Sequence, residues 1–127
     1  MSKGWKIIVL LAVVLVACLT VIAIEAQTKI IRRAYDNIVL DNRDHYLPCE
    51  KWPTEAEVRE IVQQHQDTVQ AIKQVNPELV GIDIDTFTCP GKADLTIWYA
   101  THQDRLAIER IIGDDTFFGV PYRLHNR

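Results

Sequence analysis

Two short segments of alternating polarity lie within residues 80–99, VGIDIDTFTCPGKADLTIWY. Apolar residues occupy every second position in both segments: Val80, Ile82 and Ile84 in the first, and Leu95, Ile97 and Tyr99 in the second. A period of two is typical of a strand with one buried face and one polar face. Between the segments, Cys89-Pro90-Gly91-Lys92 has the composition of a turn. The stretch therefore predicts an antiparallel hairpin.

A helix is predicted before the hairpin. Thr54 and Glu57 match a capping box, in which each residue bonds to the backbone of the other. The apolar residues that follow recur at helical spacing: Val58, Ile61, Val62, Val69 and Ile72. His65 falls on the same face and is expected to pack there. Asn76-Pro77 ends the helix, because the residue before a proline disfavours the helical conformation.

A second helix and a last strand are predicted after the hairpin. Thr101 suits a helix N-cap, and Gly113 suits the left-handed position that closes a helix. Phe117 to Leu124 then has the character of an extended segment. Pro121 within it has no amide hydrogen to donate, which points to an edge strand.

The resulting order, αββαβ, predicts the α+β class, with a small antiparallel sheet covered by two helices. This small domain is expected to span residues 53–127, after a juxtamembrane segment and linker at 25–52. Within the linker, Ile38-Val39-Leu40 is compatible with a short strand or with a loop. A strand there would extend the order to βαββαβ, the ferredoxin-like arrangement.

Residues 7–24 form an uncharged, almost wholly apolar run. As a helix the run would be about 27 Å long, close to the ~30 Å hydrocarbon core of a bilayer. Trp5 and Lys6 stand where an interfacial anchor belongs. The run therefore predicts one transmembrane helix, preceded by a tail at residues 1–6, with the lipid bilayer as its partner.

Two other interpretations of this segment stay open. Ile24-Glu25-Ala26 is a poor but conceivable signal-peptidase site, although secretory apolar regions are usually shorter. Leu15-Val16-Ala17-Cys18 resembles a bacterial lipobox, and the resemblance implies lipidation of Cys18. In lipoproteins a polar linker follows the lipidated cysteine, whereas here the apolar run continues to Ile24.

The charge balance argues against a nucleic-acid partner. The chain of 127 residues has a net charge of −3 and a pI of about 5.7. The first 24 residues contain two lysines, Lys3 and Lys6, and no acidic residue. The remainder of the chain is therefore more acidic still. The first four basic residues after the run are Lys29, Arg32, Arg33 and Arg43, and by the positive-inside rule they favour a cytoplasmic domain.

The cysteines argue for the opposite side of the membrane. Cys49 precedes the first helix and Cys89 follows the strand that returns beside it, so the topology brings them to one end of the domain. A disulfide between them is expected, and disulfides persist in oxidising compartments. The domain is therefore expected to be extracytoplasmic. Free thiols in a cytoplasmic domain are the alternative; a zinc site with His45 would lack an evident fourth ligand.

The string Asp83-Ile84-Asp85-Thr86 resembles the nucleophile motif of haloacid dehalogenase-like phosphatases. The resemblance implies a nucleophilic Asp83, a proton-transferring Asp85, and magnesium ligands at Asp114-Asp115. That fold needs a parallel α/β sheet well beyond this chain's length, with its acidic motif after a strand. Here the 114–115 pair follows a helix end, so a solvated strand face and a turn are expected instead.

The function expected is that of a single-pass membrane-anchored, non-catalytic interaction or accessory domain, without metal or cofactor. Its unknown protein partner would contact an aromatic surface formed by Trp98, Phe117, Phe118 and Tyr122. Trp98 points away from the apolar side of its strand, and is expected either on an open sheet face or beneath residues 35–49. The alternatives are a divalent-metal phosphohydrolase that uses Asp83 and Asp85, and a membrane-tethered ligand-sensing domain.

Overall fold

A computed structural model describes residues 2–127 of the chain. The chain divides into two compact units, one ending at Tyr35 and the other spanning Asp36–Arg127. Residues 36–52 thus belong to the second unit together with the sheet and its helices.

The first unit contains α1, Lys3–Thr28, and most of α2, Ile30–Ile38. Ser2 caps α1 by accepting a hydrogen bond from the Trp5 amide. The hydroxyls of Thr20 and Thr28 donate to carbonyls one turn back, which satisfies them inside the helix. The most apolar stretch of 18 residues in α1 has a mean hydropathy of 3.4, so the helix is long and apolar enough to cross a membrane. A signal sequence can have the same properties.

The second unit has mixed helical and strand structure. A 3₁₀ turn spans Cys49–Lys51, and the later elements follow in this order: α3 Glu55–Gln64, α4 Gln66–Lys73, β1 Gly81–Asp85, β2 Asp94–Tyr99, α5 His102–Ile112, β3 Thr116–Phe117 and β4 Val120–Asn126. Capping boxes begin α3 and α5, and left-handed Gly113 ends α5. The α+β class, the two capped helix starts and the helix end at Gly113 agree with the sequence prediction.

The four strands form one open sheet in the order β1-β2-β4-β3. The pairs β1–β2 and β3–β4 are antiparallel, but β2 and β4 are parallel. The prediction of an antiparallel sheet is therefore wrong at β2–β4. The physical reason is α5, which carries the chain back along the sheet so that β4 starts at the same end as β2.

The helices cover one face of the sheet. Strand residues of that face pack against residues of α3, α4 and α5 in a single buried cluster, which includes Leu95, Ile97, Tyr99, Leu124, Val58, Ile72 and Ile108. The other face carries the alternate strand residues and is polar. This two-sided pattern is what the period of two predicts.

The additional strand of a ferredoxin-like fold is absent from the described residues. Ile38 ends α2, and Val39 and Leu40 form an exposed turn rather than a strand. The nearest extended contact is a single bridge between Arg43 and Leu124.

Two local predictions also differ from the structure. The predicted helix over 54–75 is interrupted at His65, whose φ of −119° and ψ of 38° separate α3 from α4. Pro121 does not mark an edge strand, since β4 lies between β2 and β3. The proline is tolerated because the ladder with β2 begins one residue later, at Tyr122.

Candidate functional site

The β1–β2 hairpin ends in a loop at residues 86–93, here called the hairpin loop. Asp85 and Asp94 face each other as the last paired residues of the two strands. Both lie on the polar face, which also carries Arg123 of β4, paired in register with Thr96 of β2. Two aspartates, Asp85 and Asp94, and one arginine, Arg123, therefore lie together where the hairpin loop joins the two strands.

Arg123 joins the two carboxylates. Its Nε lies 2.7 Å from Asp94 Oδ2 and its Nη2 lies 3.0 Å from Asp94 Oδ1, a two-pronged contact. The same Nη2 donates to Asp85. Asp94 is fully buried, so its charge depends on these partners. Burial alone would lower the pKa of Arg123, but the contacts with Asp94 and Asp85 outweigh it and raise that pKa.

Residues 45–52 cover this end of the polar face. His45 Nε2 lies 2.8 Å from Asp94 Oδ2, and His45 Nδ1 accepts the Leu47 amide at 3.0 Å. A neutral ring therefore carries its proton on Nε2 and donates it to Asp94. Trp52 is buried, donates to the Leu47 carbonyl, and lies beneath the Arg123 guanidinium at 5.5 Å.

The hairpin loop is also attached to the chain before α3. The predicted disulfide between Cys49 and Cys89 is present. Gly91 accepts the Glu55 amide at 3.3 Å, and Pro53 accepts the Ala93 amide at 3.0 Å. These contacts tie the loop to residues 49–55.

Asp85 organises the loop from within. Its Oδ1 accepts the amides of Phe87 and Thr88 at 2.8 and 3.1 Å, and its Oδ2 accepts the Thr88 hydroxyl at 2.5 Å. Burial raises the pKa of Asp85, but the bonds from Thr88, Phe87 and Arg123 outweigh burial and lower that pKa to about 2. Asp85 is thus an ionised structural acceptor.

The loop presents one large apolar side chain to solvent. Phe87 is 94% exposed although its own amide and that of Thr88 bond to Asp85 and the disulfide holds Cys89. An aromatic ring on a fixed loop loses little conformational freedom when it enters a partner's pocket. Aromatic anchors of this kind dominate the energy of many protein interfaces. The arrangement is suited to insertion into an apolar pocket.

The four aromatic residues predicted as a partner surface do not form one patch. Phe117 and Tyr122 are buried in the core beneath the helices. Trp98 is half-buried on the polar face, where its ring lies over Gly81 and beneath the Arg127 guanidinium at 5.0 Å. Only Phe118 and part of Trp98 are accessible.

Phe118 lies at the β3–β4 turn and is 51% exposed. Its ring stacks on His65 with 3.4 Å between the centroids, on the helix-covered side of the domain. Phe118 and Gly119 both have positive φ, at 50° and 92°. This pair of values is characteristic of the tight turns that join two antiparallel strands.

The acidic residues of the phosphatase-like motif have separate structural settings. Asp83 is exposed on the edge strand β1, whereas the oxygens of Asp85 accept hydrogen bonds from the hairpin loop and from Arg123. Asp115 accepts a bond from Arg43 at 2.9 Å, and the Asp114 carbonyl accepts one from Tyr122. Within residues 2–127, no cluster of three or more His, Cys, Asp or Glu is arranged to hold a metal ion.

A shallow polar cleft lies at the start of α5. Asp41, Thr101, His102 and Arg105 line it. Arg105 is buried and pairs with Asp41 at 2.9 Å and Glu109 at 3.1 Å. Its positive charge is therefore balanced within the domain.

Sequence reasoning missed Phe87 and the Asp94–Arg123 pair. The signal for Phe87 was its place after Asp85 in a turn, because an aspartate there often accepts the amide two residues on. The signal for Arg123 was a basic residue at a polar-face position of the last strand.

Comparison of the chain with protein-family models, with curated protein sequences and with solved structures found no match.

Proposed function

We propose that this protein is a single-pass membrane-anchored, non-catalytic interaction domain that faces the periplasm or the cell exterior. Its protein partner supplies an apolar pocket that receives Phe87. The observation that carries the proposal is a phenylalanine left 94% exposed on a loop held by a disulfide, an aspartate and backbone bonds.

The exposed ring has a physical cost for the isolated domain. Burying a phenylalanine side chain fully contributes about 1.5–3 kcal/mol relative to leaving it in water. A flexible loop would let the ring fold back onto the protein and recover part of this energy. The bonds to Asp85 and the Cys49–Cys89 bridge oppose such a movement. They also prepare the ring for a partner.

The anchor and the compartment have separate support. One N-terminal helix is apolar and long enough for a membrane span, and the disulfide is compatible with an oxidising compartment. A membrane-impermeant maleimide applied to intact cells, in a Cys18→Ser background, tests both. Labelling of Cys49 and Cys89 only after reduction supports the proposed side. Labelling that needs cell lysis and no reductant contradicts it.

The partner contact is tested with photocrosslinking in the full-length protein in its native membrane. A photoreactive phenylalanine analogue replaces Phe87 in one sample and Phe118 in a matched control. A discrete protein adduct at position 87 that is missing at position 118 supports the proposal. The same adduct should disappear when unmodified protein is added in excess.

A further variant separates binding from folding. Phe87→Ser removes the ring at a position where it contacts little of the domain, so its unfolding temperature should match that of the wild type. Co-purification of the crosslinked partner should be lost with Phe87→Ser and kept with Phe118→Ser. Equal recovery with both variants would mean that Phe87 is not the contact.

A further inference from the structure

We propose that α2 lies in the membrane interface, with its apolar side in the lipid and its polar side toward the headgroups and the water. The proposal rests on the membrane anchor proposed above. It adds a second lipid contact, distinct from the span through α1.

The apolar residues of α2 in the first unit share one side of the helix. Ile30, Ile31, Ala34 and Tyr35 follow the i, i+1, i+4, i+5 spacing that places side chains on a single face. The two isoleucines are each 59% exposed and Tyr35 is 54% exposed. Arg32, Arg33 and Asp36 occupy the opposite, polar side by the same spacing. A short helix divided in this way is typical of segments that lie at a membrane surface.

The junction with α1 sets where α2 begins. Lys29 has left-handed φ and ψ of 51° and 33°, and its amide bonds to the Glu25 carbonyl at 2.8 Å. A left-handed residue ends a helix, so the chain does not continue along α1. The turn comes directly after the apolar run.

Glu25 fixes this junction. Its two carboxylate oxygens accept the Ile31 and Arg32 amides at 2.8 and 2.9 Å. These amides belong to the first turn of α2, where Glu25 supplies acceptors that the helix itself cannot, and where a negative charge also suits the helix dipole. A carboxylate is costly inside hydrocarbon, so Glu25 marks the point at which the chain leaves it. The apolar side of α2 therefore begins at the depth of the membrane interface.

Lipid is the expected contact of the apolar side of α2, because α2 follows directly after the proposed membrane-spanning helix α1. A protein partner would have to reach a helix held at the bilayer boundary, whereas lipid is already present there. Tyr35 has the amphipathic ring that is enriched at this depth, and the polar side, with two arginines and one aspartate, suits the hydrated headgroup region.

The test uses the full-length protein with Cys18→Ser, reconstituted in phosphatidylcholine vesicles with and without phosphatidylglycerol. Without reductant, Cys49 and Cys89 remain bonded and unlabelled. An environment-sensitive fluorophore is attached to Ile31→Cys, to Arg33→Cys on the opposite side of α2, or to Val14→Cys within α1. Iodide quenches from the water, and nitroxide lipids quench from shallow or deep positions in the bilayer.

The proposal expects roughly threefold weaker iodide quenching at position 31 than at position 33, together with quenching at 31 by the shallow nitroxide. This result should hold as protein is diluted with lipid. Equal iodide quenching at 31 and 33 would place α2 in water and overturn the proposal. Shielding at 31 from both quenchers would indicate a second copy of the chain as the occupant, and would also overturn it.

Position 14 keeps the two proposals distinguishable. Quenching at 14 by the deep nitroxide, with position 31 open to iodide, would leave the anchor in place and remove only the interfacial role of α2. If position 14 were itself open to iodide, the anchor would be wrong and the inference would fall with it.

Discussion

Arg123 holds Asp94 through two prongs, with Nε 2.7 Å from Oδ2 and Nη2 3.0 Å from Oδ1. The carboxylate is fully buried on the polar side of the sheet, and His45 Nε2 lies 2.8 Å from its Oδ2. The Arg123–Asp94 pair ties β2 to β4 at the point where the hairpin loop ends and β2 begins. It links the stability of the sheet to the presentation of Phe87.

Replacing Arg123 by methionine should destabilise the domain by about 3–5 kcal/mol, because it leaves a buried carboxylate without its cationic partner. Arg123→Lys should cost less but not restore the wild type, since an ammonium cannot make the two-pronged contact. Denaturant unfolding of the full-length protein in detergent measures both.

The matched control is Arg127→Met, which removes a guanidinium that lies over the Trp98 ring instead of a buried acid. Its cost should stay below about 1 kcal/mol, the scale of an exposed cation–π contact. Similar costs for the 123 and 127 variants would show that Asp94 does not depend on Arg123.

Acid should weaken the domain through Asp85. Its folded pKa of about 2 is lower than its usual value of 3.8, so its contribution is present above about pH 4 and is lost as the pH falls toward 2. The expected loss is about 1–2 kcal/mol, from 1.4 kcal/mol per pKa unit with allowance for solvent. Unfolding temperature measured across this range tests it.

Asp85→Asn should flatten this acid dependence, because the amide cannot titrate. Asp83→Asn, two residues earlier on the same face of β1, should leave the dependence as in the wild type. An unchanged acid limb in the Asp85 variant would assign the effect to other carboxyl groups.

Removing the disulfide should cost the domain about 3–4 kcal/mol, since Cys49 and Cys89 close a loop over a separation of 40 residues. The double variant Cys49→Ala and Cys89→Ala isolates this effect, with Cys18→Ser as the control. The same unfolding measurement with and without reductant should separate wild type from the double variant only in the oxidised state. A double variant as stable as the oxidised wild type would contradict the expectation.

Gly81 allows the Trp98 ring to lie flat on β1. A Cβ at position 81 would come within 2.1 Å of two ring carbons, so Gly81→Ala must displace the indole. The expected cost is about 1–3 kcal/mol, typical of overpacking, with a change in tryptophan fluorescence. In a Trp98→Ala background the same substitution should cost less than about 0.5 kcal/mol. Equal costs in the two backgrounds would rule out the ring contact as the cause.

Local features of the domain were predictable because neighbouring residues determine them. The capping boxes at Thr54 and Thr101 each involve residues three positions apart, and Gly113 closes α5 through its own backbone freedom. The alternating residues of β1 and β2 likewise indicated their pairing. The disulfide was predictable for a related reason, since the order of elements brings both cysteines to one end of the domain.

Other features depend on residues that are distant in sequence. His65 interrupts a helical pattern that contains no glycine or proline at that point. Its ring stacks on Phe118, which lies far away along the sequence, in the β3–β4 turn. Phe117 and Tyr122 were predicted at a surface but lie in the core, because β3 and β4 turn that side beneath the helices. Phe87 appeared to be an ordinary loop residue.

The sequence alone determined the apolar N-terminal run, the helix ends and the hairpin, since each depends on hydrophobicity or backbone preference within a few residues. The tertiary structure decided the parallel pairing of β2 with β4, the burial of Asp94 beside Arg123 29 residues away, and the exposure of Phe87. These depend on how strands and covering segments meet in space, and one polar pattern is compatible with several such arrangements until the core has packed.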